Sequence, residues 1–240
     1  MKFENTQVFN FEGALHGMRN PKESWDKSDS AYIIPIMEHK AVYQIGKKDM
    51  KLAQSLIRAG SEHRKFLRQI FVSVDITAPL YWWKEFDTYK VGTVANSTST
   101  MHKMTSKPIT MECFEIDDYN NNLQSELTDE DGDIITYFSS EEPLCIISWL
   151  ESLRQKYLET KDKRYWKELI RWLPESWLQT RTVTMNYENL LGMCSKGQRR
   201  FHKLNEWSGK DNVGVSNFIS WARTLPYAQE FIFIDETKGE

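Results

Sequence analysis

The sequence predicts an α+β domain, and three stretches carry the prediction. Residues Ile70 to Ile76 alternate as a strand: Ile70, Val72, Val74 and Ile76 share one face, and Phe71, Ser73 and Asp75 the other. Lys47 to Ala59 is amphipathic at helical spacing, with Met50, Leu52, Ala53, Leu56 and Ile57 in one stripe. Pro143 to Leu173 holds two further helical stripes, Leu144, Ile147, Leu150, Leu153 and Leu158 in the first and Trp166, Leu169, Ile170 and Leu173 in the second. The chain has 240 residues, 40% of them hydrophobic and 27% charged, so it is long and apolar enough for a sizeable core. We expect one domain over residues 1–240.

From the N-terminus, apolar bursts at Val8–Phe11, Tyr32–Met37 and Ala41–Ile45 predict strands. The segment GMRNPKESWDKSDS between them reads as an exposed loop, in which Arg19 is either a surface ion-pair partner or an anion ligand. Gly60 suits the position just past the helix of Lys47–Ala59. After the strand, Pro79 opens a helix, because its missing N–H costs nothing in a first turn; Leu80, Trp83 and Phe86 or Asp87 follow at helical spacing. Gly92 to Thr100 is rich in hydroxyls and amides, which predicts a polar, ligand-capable loop. Residues 115–133 predict an acidic surface loop; Asp129 to Asp133 lacks the ligand spacing and closing Glu of a calcium-binding loop. Pro174 stops the second long helix, and a further helix is expected from Thr182 through Leu191. Helical segments around Trp207, Phe218, Trp221 and Phe231, with a loop at Lys210–Val215, complete the chain.

Composition narrows the function. Net charge is −3, so no global basic field attracts nucleic acid. No apolar run approaches the ~18 residues of a membrane span, and the first residues are not a signal peptide. Cys113, Cys145 and Cys194 are isolated, odd in number and without metal spacing, which suits a reducing, cytoplasmic compartment and predicts no metal site. Nine tryptophans supply either a well-packed aromatic core or flat surfaces for a planar ligand or a second subunit.

Two blocks resemble the flavin-dependent thymidylate synthases. In the first, Ser61-Glu62-His63 takes the place of the family's Ser-x-His loop, at the family's distance from Pro79. Counting on, Thr88-Tyr89-Lys90 falls on the family's Arg-His-Arg, Thr93 on the first Ser of the motif, and, after a one-residue insertion, Asn96-Ser97-Thr98-Ser99 on Asn-Glu-x-Ser. In the second, Arg171-Trp172-Leu173-Pro174 leads without a gap to Thr184-Met185-Asn186, Glu188 stands in place of the family's Arg, and Arg199, Arg200 and His202 to Trp207 resemble the family's Arg and following His-Ala-Gln-Trp-Glu. Together the blocks cover about half of the chain, in order.

The resemblance implies a mixed sheet covered by helices, a homotetramer, and methylation of dUMP or a related pyrimidine nucleotide to dTMP. It implies FAD as cofactor, with NADPH and methylenetetrahydrofolate as co-substrates. Hydride passes from the reduced flavin, no enzyme nucleophile is needed, and the protein contributes positioning and electrostatics. By the same resemblance Arg199 and Arg200 are the catalytic cations. His63, Tyr89, Lys90, Asn186 and His202 hold FAD, and Lys84, Glu85, Ser97, Thr98, Ser99 and Arg171 hold the nucleotide. Thr88 in place of Arg removes a charged fork worth about 1.5–3 kcal/mol. Two rival readings follow from the changed letters: a nucleotide- or flavin-binding homologue without synthase activity, or a structural or interaction protein.

Overall fold

The structure, a computed structural model, describes residues 1–35, 41–116, 124–138, 142–211 and 216–236. The chain divides into two compact units: Met1–Ile76 with Asp87–Asn96 and Arg181–Glu240, and Thr77–Phe86 with Ser97–Thr180. In order, the elements begin with β1 (Lys2–Phe9), α1 (Phe11–Arg19), β2 (Ala31–Ile33), β3 (Val42–Gln44) and α2 (Lys47–Arg58). They continue with β4 (Phe71–Pro79), α3 (Leu80–Phe86), β5 (Val94–Ser97), α4 (Thr100–Lys103), β6 (Gln124–Thr128), β7 (Ile134–Phe138) and α5 (Glu142–Thr160). The last are α6 (Lys163–Arg171), β8 (Leu178–Asn186), α7 (Tyr187–Met193), α8 (Asn205–Ser208), α9 (Phe218–Arg223) and α10 (Ala228–Phe231). A four-stranded sheet in the order β1-β4-β8-β5 is the spine, and β2 with β3 and β6 with β7 form antiparallel pairs. The α+β class expected from the sequence is the class observed.

β4 shows why this sheet forms. Ile70, Val72, Val74 and Ile76 are each at most 1% exposed, while Asp75 on the other face takes hydrogen bonds from Asn5 Nδ2 and the Thr182 hydroxyl. The alternation read from the sequence is thus a buried face and a hydrogen-bonding face. β8 repeats the pattern with Gln179, Val183 and Met185 buried.

In the first unit, α1 carries Ala14, Leu15 and Met18 into the core. It ends in a buried ion pair: Arg19 Nε and Nη2 reach Asp49 Oδ1 at 2.6 and 2.5 Å, and Ser28 and Ser30 donate to Asp49 Oδ2. Burial works to raise the Asp49 pKa, yet the two hydroxyls and Arg19 together hold it below the usual carboxylate range. Asp29 caps α2 by accepting from the backbone N–H groups of Lys48 and Asp49. A side chain at Gly46 would meet Asp29 at 2.3 Å, so glycine is what lets this cap close. Behind α7, Tyr187, Phe231 and Phe11 pack edge to face.

In the second unit, Trp82, Trp83 and Phe86 of α3 form a buried aromatic cluster, and Trp83 Nε1 donates to the Gln179 carbonyl. A second cluster joins Met104, Ile109 and Phe114 to Leu150 of α5 and Leu169 of α6. Arg154 braces it by a fork onto Glu151, which also accepts the Ile109 N–H. Hydrogen bonding from Arg154 pulls the Glu151 pKa down to about 2.

Six expectations need correction. Phe11–Arg19 is a helix, although Gly13 and Gly17 weaken its helical signal. Arg19 is a core ion-pair partner, not a loop residue. Leu178–Asn186 is a strand, because Thr180, Thr182 and Thr184 alternate with buried residues; the helix begins only at Tyr187. The polar stretch after Gly92 contains β5, a strand with no buried side chain that is held in the sheet by its backbone. The acidic loop contains β6 and the turn of the β6–β7 hairpin, made at Asp129, whose carboxylate accepts the N–H groups of Asp131 and Asp133. On α5, Leu144 and Leu158 are 56% and 39% exposed, since the helix extends past the apolar cluster at both ends. Parts of three expected features, at 36–37, 117–123 and 212–215, lie outside the described residues.

Candidate functional site

Within the first unit, the predicted residues gather around the junction of β8 and α7. Asn186 closes a capping box: its side chain accepts from Asn189 N at 2.9 Å, and Asn189 Oδ1 accepts from Asn186 N at 3.1 Å. Asn189 Nδ2 then donates to the Val91 carbonyl at 2.7 Å. Gly92, at φ +79°, follows immediately; a side chain there would come within 3.0 Å of both asparagines. This close approach fixes the Tyr89–Gly92 segment beside the end of β8.

Tyr89 is the centre of the next layer. Its hydroxyl accepts from Arg199 Nε at 3.0 Å and donates to Gln198 Oε1 at 3.2 Å. The Arg199 guanidinium lies 5.4 Å from the Tyr89 ring centre and 5.1 Å from that of Trp207. The two rings are themselves in contact, 6.4 Å between centres, so the cation lies over both from one side. His202 packs edge-on to Trp207, and its Nδ1 accepts from Leu204 N, which leaves the proton of the neutral ring on Nε2. Four matched positions, Tyr89, Asn186, Arg199 and His202, therefore meet around one corner.

Arg200 is placed differently. Its Nε donates to the Cys194 carbonyl, both terminal nitrogens bind Asp235, and Glu236 lies 3.2 Å away. Its side chain is 2% exposed. Burial pushes the neighbouring Cys194 thiol up to about 12, so it is no nucleophile at neutral pH. His63 and Lys90 are exposed, and His63 donates its backbone N–H to Gly60.

Arg64, not singled out in the sequence, joins this corner by pairing with Glu188. Arg64 Nε binds both oxygens of Glu188, at 3.0 and 3.1 Å. Glu188 stands where the resemblance expects an arginine, so the charge there is reversed and neutralised by Arg64. The position of Arg64, directly after the matched His63, was the available signal. A cavity of about 470 Å³ lies alongside, lined by Arg58, Arg64, Arg200, Asp235 and Ser195 together with Ile57 and Leu191.

In the second unit, the residues expected on the nucleotide have local partners. Thr98 N donates to Thr180 O, and Thr98 O accepts from Gln179 Nε2. Ser99 Oγ caps α4 by accepting from His102 N. Lys84 pairs with Glu175, and Arg171 with Glu168, all near the surface. Ser97 is exposed and Glu85 half-buried.

No family model matches the sequence, and no curated protein matches it. The fold does match solved structures. The flavin-dependent thymidylate synthase ThyX from Helicobacter pylori, complexed with FAD and dUMP, superposes with a TM-score of 0.61 at 15% identity, over 99% of this chain and 100% of that one. The fold is that of the flavin-dependent thymidylate synthases. A second ThyX structure from Helicobacter pylori gives a TM-score of 0.60 at 15% identity, over 98% of each chain. The UMP/dUMP methylase PolB from Streptomyces cacaoi, bound with 5-Br dUMP, gives 0.52 at 15% identity, over 96% of this chain and 95% of that one. The thymidylate synthase fold thus extends through segments where the two sequence blocks gave no signal. No helix among the described residues is long and apolar enough to cross a membrane.

Proposed function

We propose that this chain is a divergent flavin-dependent thymidylate synthase that methylates dUMP, or a closely related pyrimidine nucleotide, with FAD as cofactor. The observation that carries the reading is the ring-held Arg199, fixed by Tyr89 and Trp207 beside the Asn186 capping box, in a chain with the thymidylate synthase fold. The donor set suits a flavin nucleotide: guanidinium groups for its phosphates, amides and ring nitrogens for its heterocycle, and flat rings for stacking. When bound, FAD supplies the hydride-transfer chemistry. Arg199 holds a positive charge where negative charge develops on the pyrimidine, and Arg64 and Arg58 line the adjoining cavity on the phosphate side. NADPH and methylenetetrahydrofolate complete the reaction as reductant and carbon donor. The cytoplasm is the compartment proposed.

Arg200 takes a supporting role in this reading. Its donors bind Asp235, Glu236 and the Cys194 carbonyl, so it holds the C-terminal segment, although its side chain also lines the 470 Å³ cavity. We assign a homotetramer, for which Trp149 and Trp172, packed edge to face and 44% and 56% exposed, supply apolar surface. Light scattering that returns only a 28.4 kDa species with FAD present overturns that assignment.

One observation favours a second reading, a flavin or nucleotide binder without synthase activity. Glu188 replaces the expected arginine and consumes Arg64, which lowers the positive charge available to a nucleotide. Tritium release from [5-³H]-dUMP with FAD, NADPH and methylenetetrahydrofolate separates the two. Release supports the synthase; binding of FAD and dUMP without release establishes the second reading; a chain that binds neither excludes both.

A further inference from the structure

We infer that the first unit carries another binding site, for a small organic cation with an aromatic or aliphatic body. The site is a cavity of about 610 Å³ walled by Phe11, Tyr32, Tyr43 and Tyr227, with Asn10 and Glu12 at its edge. None of these residues is among those assigned above to the flavin or the nucleotide. A volume of this size is ordinary for a small-molecule pocket.

The walls are aromatic and the one charge is negative. Tyr32 and Tyr43 meet edge to face at 5.2 Å, and Phe11 and Tyr227 do so at 5.4 Å. Among the residues that line the cavity, Glu12 alone carries a charge, and the Tyr32 hydroxyl donates to its Oε2 at 3.0 Å. That hydrogen bond turns the carboxylate toward the rings. A carboxylate at the edge of an aromatic-lined cavity, with no lining cation beside it, attracts ammonium and repels carboxylate and phosphate.

The backbone is built to keep the chamber open. Asn10 and Tyr227 both line it, and both hold left-handed φ angles, +69° and +55°. For a bulky tyrosine that conformation is costly and persists only where neighbours impose it. They do so here: Pro226 O accepts the Tyr187 hydroxyl at 2.6 Å, Tyr227 Oη accepts from Ile45 N at 3.0 Å, and Asn10 Nδ2 donates to Gln69 O at 3.0 Å. Tyr32 and Val42 at the mouth are 58% and 43% exposed, so apolar surface is left in water that a ligand's body would cover.

The test is titration calorimetry of the full chain with three probes of one shape: 2-phenylethylammonium, 2-phenylethanol and phenylacetate. The ammonium is expected to bind at least tenfold tighter than phenylacetate, with the alcohol between. Glu12→Gln, a change at an exposed residue, should weaken the ammonium at least fivefold and leave the alcohol unchanged. Val42→Lys, which places a cation in the mouth, should abolish ammonium binding at an unchanged melting temperature. The inference is overturned if the ammonium fails to bind at millimolar concentration, if phenylacetate binds as tightly, or if both variants bind the ammonium like wild type.

Discussion

Arg199 and Arg200 are neighbours in sequence and opposites in environment. Arg200 is sealed, its side chain 2% exposed, and its fork is matched to Asp235 in two parallel hydrogen bonds. Arg199 is half-buried; its Nε donates to the Tyr89 hydroxyl, and its guanidinium lies over the Tyr89 and Trp207 rings. A guanidinium committed to carboxylates in the interior ties chain segments together, and removing it leaves charge behind. A half-buried guanidinium lying over two rings is oriented without being enclosed. The comparison teaches that proximity to a motif does not decide function; the environment of each side chain does.

The largest expected effect breaks the comparison on the stability side. Arg200→Ala should cost about 2–3 kcal/mol, below the full figure for a buried pair because Asp235 can reach water. Urea denaturation checks this, and a loss under about 0.5 kcal/mol would show that the clamp is not structural. Next, Arg199→Ala should cost only about 1 kcal/mol of stability, yet weaken FAD binding or slow turnover at least tenfold, about 1.4 kcal/mol or more. Flavin fluorescence and tritium release measure the two. Tyr89→Phe, which removes one hydroxyl but keeps the ring, should give a smaller decrease, about 0.5–1.5 kcal/mol.

The weakest effect is a pH dependence. Burial tends to raise the Asp235 pKa, but Arg200 holds it below the usual carboxylate value. A carboxylate whose folded pKa is depressed contributes stability above its unfolded value near 3.9 and loses it as pH falls through the folded value. Wild type and Arg200→Ala should therefore converge in stability below about pH 4. Glu151, held down to about 2 by Arg154, should lose its contribution over the same acid range. Melting curves between pH 2 and pH 7 test both (a gap between wild type and variant that persists at the acid end would contradict the Arg200 assignment).

Much of the fold was legible because burial imposes periodicity. β4 reads at period two, and α2 and α6 read at helical spacing, since each has one face in the core. α1 was missed because two glycines interrupt its signal, and β5 because an edge strand without buried side chains leaves no pattern. The candidate site was legible only in part. Tyr89, Asn186 and Arg199 fell at matched positions, and the structure brings them to one corner. The Arg64–Glu188 pair was not foreseen, because a contact between residues 124 apart leaves no local trace. Nor did spacing distinguish Arg199 from Arg200, since adjacent residues differ only in what surrounds them.

The central claim is that Arg199, held by Tyr89 and Trp207, is the cation that serves flavin-dependent chemistry on a pyrimidine nucleotide. The most direct test is tritium release from [5-³H]-dUMP, with FAD, NADPH and methylenetetrahydrofolate, by wild type, Arg199→Ala and Arg200→Lys at matched flavin occupancy. The account predicts release by wild type, retained release by Arg200→Lys, and a loss of at least tenfold in Arg199→Ala. Equal release by wild type and Arg199→Ala, or none by a wild type that binds both FAD and dUMP, would contradict it.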